Sequence, residues 1–229
     1  MGRWPTYTDL ARGPVSVGVL AQAFQDALVG RLLEAVWETY DTLLADEYSF
    51  VADWNTDLRD LERSLTQEFE LVLSEHVRRL NKGYLPVLVQ HGRFEHQSQA
   101  SNVGQPPAYD IAFVWAHDPR IVWPIEAKAL RDDLDTDVGP GEYVQNGVRR
   151  YLNRTYAPFV FSGAMLAYLR SGSPSAVALR VGSRLGVRLR PYAAFSEREH
   201  WTSDHTRPRA DGAGTEPFVC HHLVLKLDR

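Results

Sequence analysis

A single cysteine, Cys220, stands in the whole chain of 229 residues. It cannot build an internal disulfide framework or an all-cysteine metal site, and the expected compartment is the reducing cytoplasm. Long apolar runs are lacking as well. No stretch approaches the roughly 18 residues that span a bilayer, so no membrane partner is expected. The layout of a secretory signal is missing, because "GPVSVGVLAQAF" is broken by Gly, Pro and Gln and is soon followed by Asp26 and Glu34. There is no internal repeat, no G-x-S-x-G, no P-loop and no G-x-G-x-x-G. "VGPGE" has glycines without the Lys-Ser/Thr that cradles phosphate. None of the eight histidines has H-E-x-x-H spacing, and a strand would send the adjacent His221 and His222 to opposite faces.

What is present supports a sizeable core. Hydrophobic residues make up 44% of the chain, and six Trp, ten Tyr and nine Phe argue against disorder. Lysine is missing from residues 145–210, where eleven arginines face three acids, a surplus of eight positive charges. With a net charge of -4 overall, the remainder carries -12. The exclusive use of Arg favours oxyanion recognition, since the guanidinium fork binds phosphate or carboxylate bidentately. The plainer alternative is that these arginines solvate helix faces.

Leu20, Phe24, Leu28, Leu32, Val36 and Tyr40 recur every four residues and predict a helix over 15–45. A polar bend follows at 46–55, then a second helix from Asp57 to Leu80. A strand is expected over 84–90, an irregular connection over 92–108, and two strands over 109–115 and 121–129. An acidic loop over 132–142 precedes a helix over 141–154. A buried strand is expected over 159–169, and a helix beginning at Ser173-Pro174. The alternation of "VRLRPYAAF" predicts a strand over 187–195, residues 196–217 read as a polar loop, and "FVCHHLVLKL" reads as a final strand. The fold class is therefore α/β, a mixed sheet flanked by helices, with a helical extension over 1–56 and a main domain over 57–229.

Charges stand inside two of these apolar strands. With "AHDPR" as the turn of a hairpin pivoting at Asp118, Asp110 falls opposite Glu126. Glu126 and Lys128 are two apart and share a strand face. An E-x-K alone is ordinarily a structural ion pair. Two carboxylates and an ammonium in an apolar setting are different, because close carboxylates repel unless a cation lies between them. Lys128 is one such cation, and a divalent ion with hard oxygen ligands such as Mg²⁺ is another.

Asp110 in "AYDIAFV" followed by Glu126-Ala127-Lys128 in "PIEAKAL" resembles the PD-(D/E)XK nuclease superfamily, although no proline adjoins the Asp. The resemblance covers about residues 64–170 and implies a restriction-endonuclease-like αβββαβ core. It implies a Mg²⁺-dependent nuclease, with Mn²⁺ as a substitute, acting most readily on DNA. Asp110, Glu126 and the Ala127 carbonyl would hold the metal, and Lys128 would position water. An acid on the preceding helix would complete the site. Glu68 is the candidate there and Glu75 the alternative, both on the apolar side of that helix. Gln145 on the following helix is the further catalytic candidate. Arg149, Arg150, Arg154, His205 and Arg207 are the candidate nucleic-acid contacts. Small proteins of this kind resemble effectors of prokaryotic defence or mobile elements, which leaves a protein partner and homo-oligomerisation open. The competing class is a binding subunit that keeps the fold but cuts poorly.

Overall fold

The computed structural model describes residues 16–45, 57–81, 86–92, 108–131, 138–209 and 212–227. The bend expected at 46–55, most of the connection at 92–108 and residues 132–137 lie outside the described residues. Helix α1 (Val17–Ala45) and helix α2 (Leu58–Asn81) open the chain. Leu20, Phe24, Leu28, Leu32 and Val36 of α1 are all buried, as are Leu61, Leu65, Phe69, Leu73 and Val77 of α2. This is the four-residue stripe that makes a helix bury one face. Asp57 caps α2 by accepting the Arg59 N–H at 2.8 Å.

Among the described residues seven strands form one mixed sheet: β1 (Val87–His91), β2 (Ile111–Trp115), β3 (Val122–Arg131), β4 (Ser162–Ser171), β5 (Arg190–Pro191), β6 (His200–Pro208) and β7 (Thr215–Lys226), in the order β1-β2-β3-β4-β7-β6-β5. The β3–β4 and β4–β7 pairs are parallel and the others antiparallel. Buried on both faces, β3 and β4 read as nearly continuous apolar runs. The crossover between them consists of α3 (Val138–Glu142), a π-helical stretch (Tyr143–Val148) and α4 (Arg149–Leu152). Helix α5 (Pro174–Leu185) follows β4, with Pro174 in its first turn and Gly186 ending it at φ 69°.

Strand alternation assigns the helices to faces. Phe69 of α2 meets Tyr168, and Trp37 of α1 meets His200. On the other face the crossover packs Tyr143 on His222 and presents Gly147 to Met165. Residues of α1 belong to the same hydrophobic core as the sheet. Among the described residues no helix is long and apolar enough to cross a membrane.

The C-terminal half departs from the expected pattern. Of 187–195 only Arg190–Pro191 is a strand, and Ala193–Phe195 is a 3₁₀ turn. The stretch 196–217, expected as a loop, contains all of β6, paired antiparallel with β7. Its polar residues hid it, because several are buried but hydrogen-bonded, which makes a polar strand tolerable. His200 Nδ1 accepts from Trp37 Nε1–H, so its Nε2–H donates to His221 Nδ1 at 3.2 Å. On the opposite face His222 bridges the Tyr143 hydroxyl at 2.9 Å and Ser203 Oγ at 2.7 Å.

Burial holds His200, His221 and His222 neutral, far below the ordinary imidazole range, at about 2, 4 and 3. Below the unfolded value of 6.5 the unfolded chain binds protons that the folded chain refuses, so stability is lost as pH falls. Each histidine contributes a slope of about 1.4 kcal/mol per pH unit. Glu126, raised to about 7 by burial, has the opposite sign and cancels roughly one of them. Urea unfolding between pH 6 and pH 4.5 is expected to lose about 2–3 kcal/mol per pH unit. A flat profile over that range would mean that these imidazoles accept protons in the folded state.

Candidate active site

The β2–β3 ladder ends at the Ile111–Ile125 pair, with the turn closed by Asp118 and Arg120. Asp110 therefore leaves β2 at the level of Glu126. Past that point the N–H groups of Ala127 and Ala129 have no partner in β2, and two carboxylates take its place. Asp110 Oδ2 accepts the Ala127 N–H at 2.7 Å, and Glu62 Oε2 accepts the Ala129 N–H at 2.9 Å. A free strand edge thus fixes both acids, because buried backbone donors need acceptors.

Lys128 gathers this group. Its Nζ lies 3.0 Å from Glu126 Oε1, 3.1 Å from Glu62 Oε1 and 3.9 Å from Asp110 Oδ2, and it donates to the Ala127 carbonyl at 2.5 Å. Burial alone would lower the Lys128 pKa, but the surrounding Glu126, Asp110 and Glu62 carboxylates outweigh it and hold the ammonium above its ordinary value. Glu126 is only 4% exposed. Burial, with Asp110 adding repulsion, pushes it up to about 7 against the pull of Lys128 and Arg150. Burial also raises Glu62, partly countered by Lys128 and the Ala129 hydrogen bond. The cavity above these groups has a volume of about 570 Å³, and its lining includes Arg59, Arg63, His91, Asn146 and Arg150.

Asp110, Glu126, Ala127 and Lys128 thus come together, and Arg150 joins them with Nη1 3.6 Å from Glu126 Oε1. The Tyr156 hydroxyl accepts from Arg150 at 2.5 Å and donates to the Ala108 carbonyl at 2.6 Å, holding the guanidinium in place. The helix acid at the site is Glu62, not Glu68. Glu68 does not line the cavity, and Glu75 is tied to Arg78 and Arg79 on the outer surface. The acid comes from the polar flank of α2, the face shared by Arg59, Glu62, Arg63, Thr66 and Gln67 at helical spacing. That flank reaches the sheet edge, whereas the apolar stripe lies flat on the sheet. A polar stripe beside the first apolar residues was the signal for Glu62.

Gln145 is exposed and Asn146 lines the cavity in its place, because the crossover is π-helical there and turns its residues differently. Gly147 lies close over β4, where a Cβ would meet the flexible end of the Met165 side chain. Arg149 is exposed and does not line the cavity. Arg154 binds Glu216 at 2.6 Å and the Pro208 carbonyl at 3.0 Å. Arg207 is fully buried, bonded to Glu216 and to the carbonyls of Tyr151 and Val160. His205 sits on β6 against Ser203 at 2.7 Å rather than in a loop. Arg154 and Arg207 are structural struts and His205 is a strand residue, none of them at the cavity.

The donor chemistry suits a hard divalent cation. Carboxylates and a carbonyl converge, and the buried Glu126 Oε2 has no hydrogen-bond partner. Lys128 holds the centre of that donor set, and among the described residues no three acid, His or Cys side chains are arranged as a metal site. The residues fit such an ion in kind, with Lys128 the group that would have to yield. No family model, curated protein or solved structure matches this chain.

The position of Arg150 depends on how closely α4 lies on β4. Tyr151 occupies the space over Gly163, where a Cβ would stand 2.6 Å from the ring, and its hydroxyl donates to the Ala164 carbonyl at 2.8 Å. A rigid, fully buried ring cannot give way, so Gly163→Ala is expected to cost about 1–3 kcal/mol in denaturant unfolding. An unchanged midpoint would show that α4 is free to lift from the sheet.

Proposed function

We propose that this protein is a metal-dependent nuclease that hydrolyses phosphodiester bonds, with DNA as the leading substrate. The observation that carries the reading is the meeting of Asp110, Glu126 and Lys128 in one cavity, where a buried Glu126 oxygen has no partner. Burying charges is unfavourable without compensation, so such a group points to chemistry rather than to folding alone. The element order helix, three strands, helix, strand (α2 through β4) supports a restriction-endonuclease-like core of the PD-(D/E)XK kind.

In this reading Asp110, Glu126 and the Ala127 carbonyl would hold Mg²⁺ or Mn²⁺, with Glu62 beside them. When bound, the ion supplies Lewis acidity at the phosphate and lowers the pKa of a water. Asp110, oriented by the Ala127 N–H, lines the cavity. Lys128 stays protonated and offsets the charge that grows as phosphorus becomes five-coordinate. Arg150, steadied by Tyr156, adds a second positive charge beside Glu126.

A second reading also has an observation behind it. Lys128 already neutralises the carboxylates, as in a nuclease-like fold that binds its partner without cutting. The two readings separate when the full chain is incubated with single-stranded DNA, duplex DNA and RNA in Mg²⁺ or Mn²⁺. A nuclease is expected to cut at least one of them. Lys128→Ala should slow cutting by about 10²–10³, by analogy with deletion of one oxyanion donor. Its effect on nucleic-acid affinity should be small, since the contact strengthens in the transition state. Lys128→Gln, which keeps a donor among the carboxylates, controls for folding. Asp110→Ala should instead abolish Mn²⁺ binding in calorimetry. If the unaltered protein cuts nothing and takes up no Mn²⁺, the binding-subunit reading stands.

A further inference from the structure

We propose that the substrate strand reaches this cavity over the start of α2, its phosphates held by Arg59 and Arg63 together with Arg150, and not along the arginine-rich segment 145–210. The proposal rests on the nuclease reading above, and its test is built to fail separately from it.

The floor of the cavity carries Asp110, Glu62 and Glu126, which repel an approaching polyanion. Cations at the mouth have to offset that repulsion. The arginines lining the cavity are Arg59, Arg63 and Arg150. Arg59 and Arg63 are four residues apart and project from one face of α2, at the end of the helix that favours anions. Their side chains are 81% and 70% exposed. Among the described residues, Arg59 pairs with Glu142 and Arg63 with Asp60, both at a long 3.5 Å. Exposed pairs of that kind contribute little, so a phosphate can displace them.

The arginines of 145–210 are differently placed. Arg154 and Arg207 hold Glu216, Arg198 holds Asp41 through two hydrogen bonds, and Arg190 pairs with Asp204. Of that segment, Arg150 is the arginine that lines the cavity. The exposed amides of Gln67 and Asn146 also line the cavity and suit phosphate or sugar oxygens.

The test is fluorescence anisotropy of the full chain in EDTA, so that no cutting intervenes. The probes are labelled single-stranded DNA, its duplex and RNA of the same sequence, each titrated over a range of salt. The Arg59→Gln/Arg63→Gln double variant is expected to bind at least about tenfold more weakly at low salt. Its log–log salt slope should be shallower by roughly 1.8 on duplex or 1.4 on a single strand, the share of two phosphate contacts. The control Arg184→Gln/Arg188→Gln, on α5 and the turn after it, should change neither quantity. The probe whose slope falls by its full two-contact share identifies the strand. The proposal is overturned if the control pair weakens binding while the α2 pair does not, or if no probe binds. If the α2 pair weakens binding but the unaltered protein cuts no probe in Mg²⁺ or Mn²⁺, the strand path stands and the nuclease reading falls.

Discussion

The Lys128 ammonium is the charge around which this end of the molecule is organised. Withdrawing an ammonium or a carboxylate from water costs several kcal/mol per ion. A single contact near 3 Å at an effective dielectric of 20 returns only about 5 kcal/mol. One pair would barely balance, so Lys128 has two close carboxylates, a third farther off and a carbonyl. Burial, with repulsion from Asp110 added, still raises Glu126 to about 7 against the pull of Lys128 and Arg150. That leaves the cluster short of positive charge, a condition in which a further cation or a donor on a bound ligand is welcome.

The sheet creates the cluster by ending one ladder early. Had β2 continued past Ile111, its own carbonyls would have taken the Ala127 and Ala129 N–H groups, and Asp110 and Glu62 would have had no reason to turn inward. The parallel pairing of β3 with β4 then demands a crossover, and that crossover covers the face bearing Glu126. Its close approach depends on Gly163 beneath the rigid Tyr151 ring. The same packing that buries Glu126 brings Arg150 within 3.6 Å of it. Burial, the raised carboxylate and the adjacent guanidinium have one structural cause.

Local signals were legible where the pattern and the packing agree. The four-residue stripe of α1, the turn at Asp118 and the shared face of Glu126 and Lys128 follow from periodicity alone. Two features were not legible for opposite reasons. β6 was hidden because its buried His200, Ser203 and Arg207 are satisfied by His221, His222 and the Val160 carbonyl, which lie far off in sequence. Glu62 was missed because a carboxylate on the apolar side of α2 looked better placed than one on its flank. The side that packs flat on the sheet is not the side that reaches its edge.

The charge imbalance along the sequence shows the same limit. A surplus of eight positive charges in one segment and of twelve negative charges in the remainder reads as a basic patch facing an external anion. In three dimensions several of these arginines meet acids of the other part. Arg198 reaches back to Asp41 on α1, Arg154 and Arg207 close on Glu216, and Arg150 faces Glu126. These pairs span from 9 positions of sequence for Arg207 and Glu216 to 157 for Arg198 and Asp41. A charge run therefore predicts a partner only after the fold has drawn on it. What is left for an outside ligand is the residue whose own pair is long and exposed, and around this cavity those residues stand on α2.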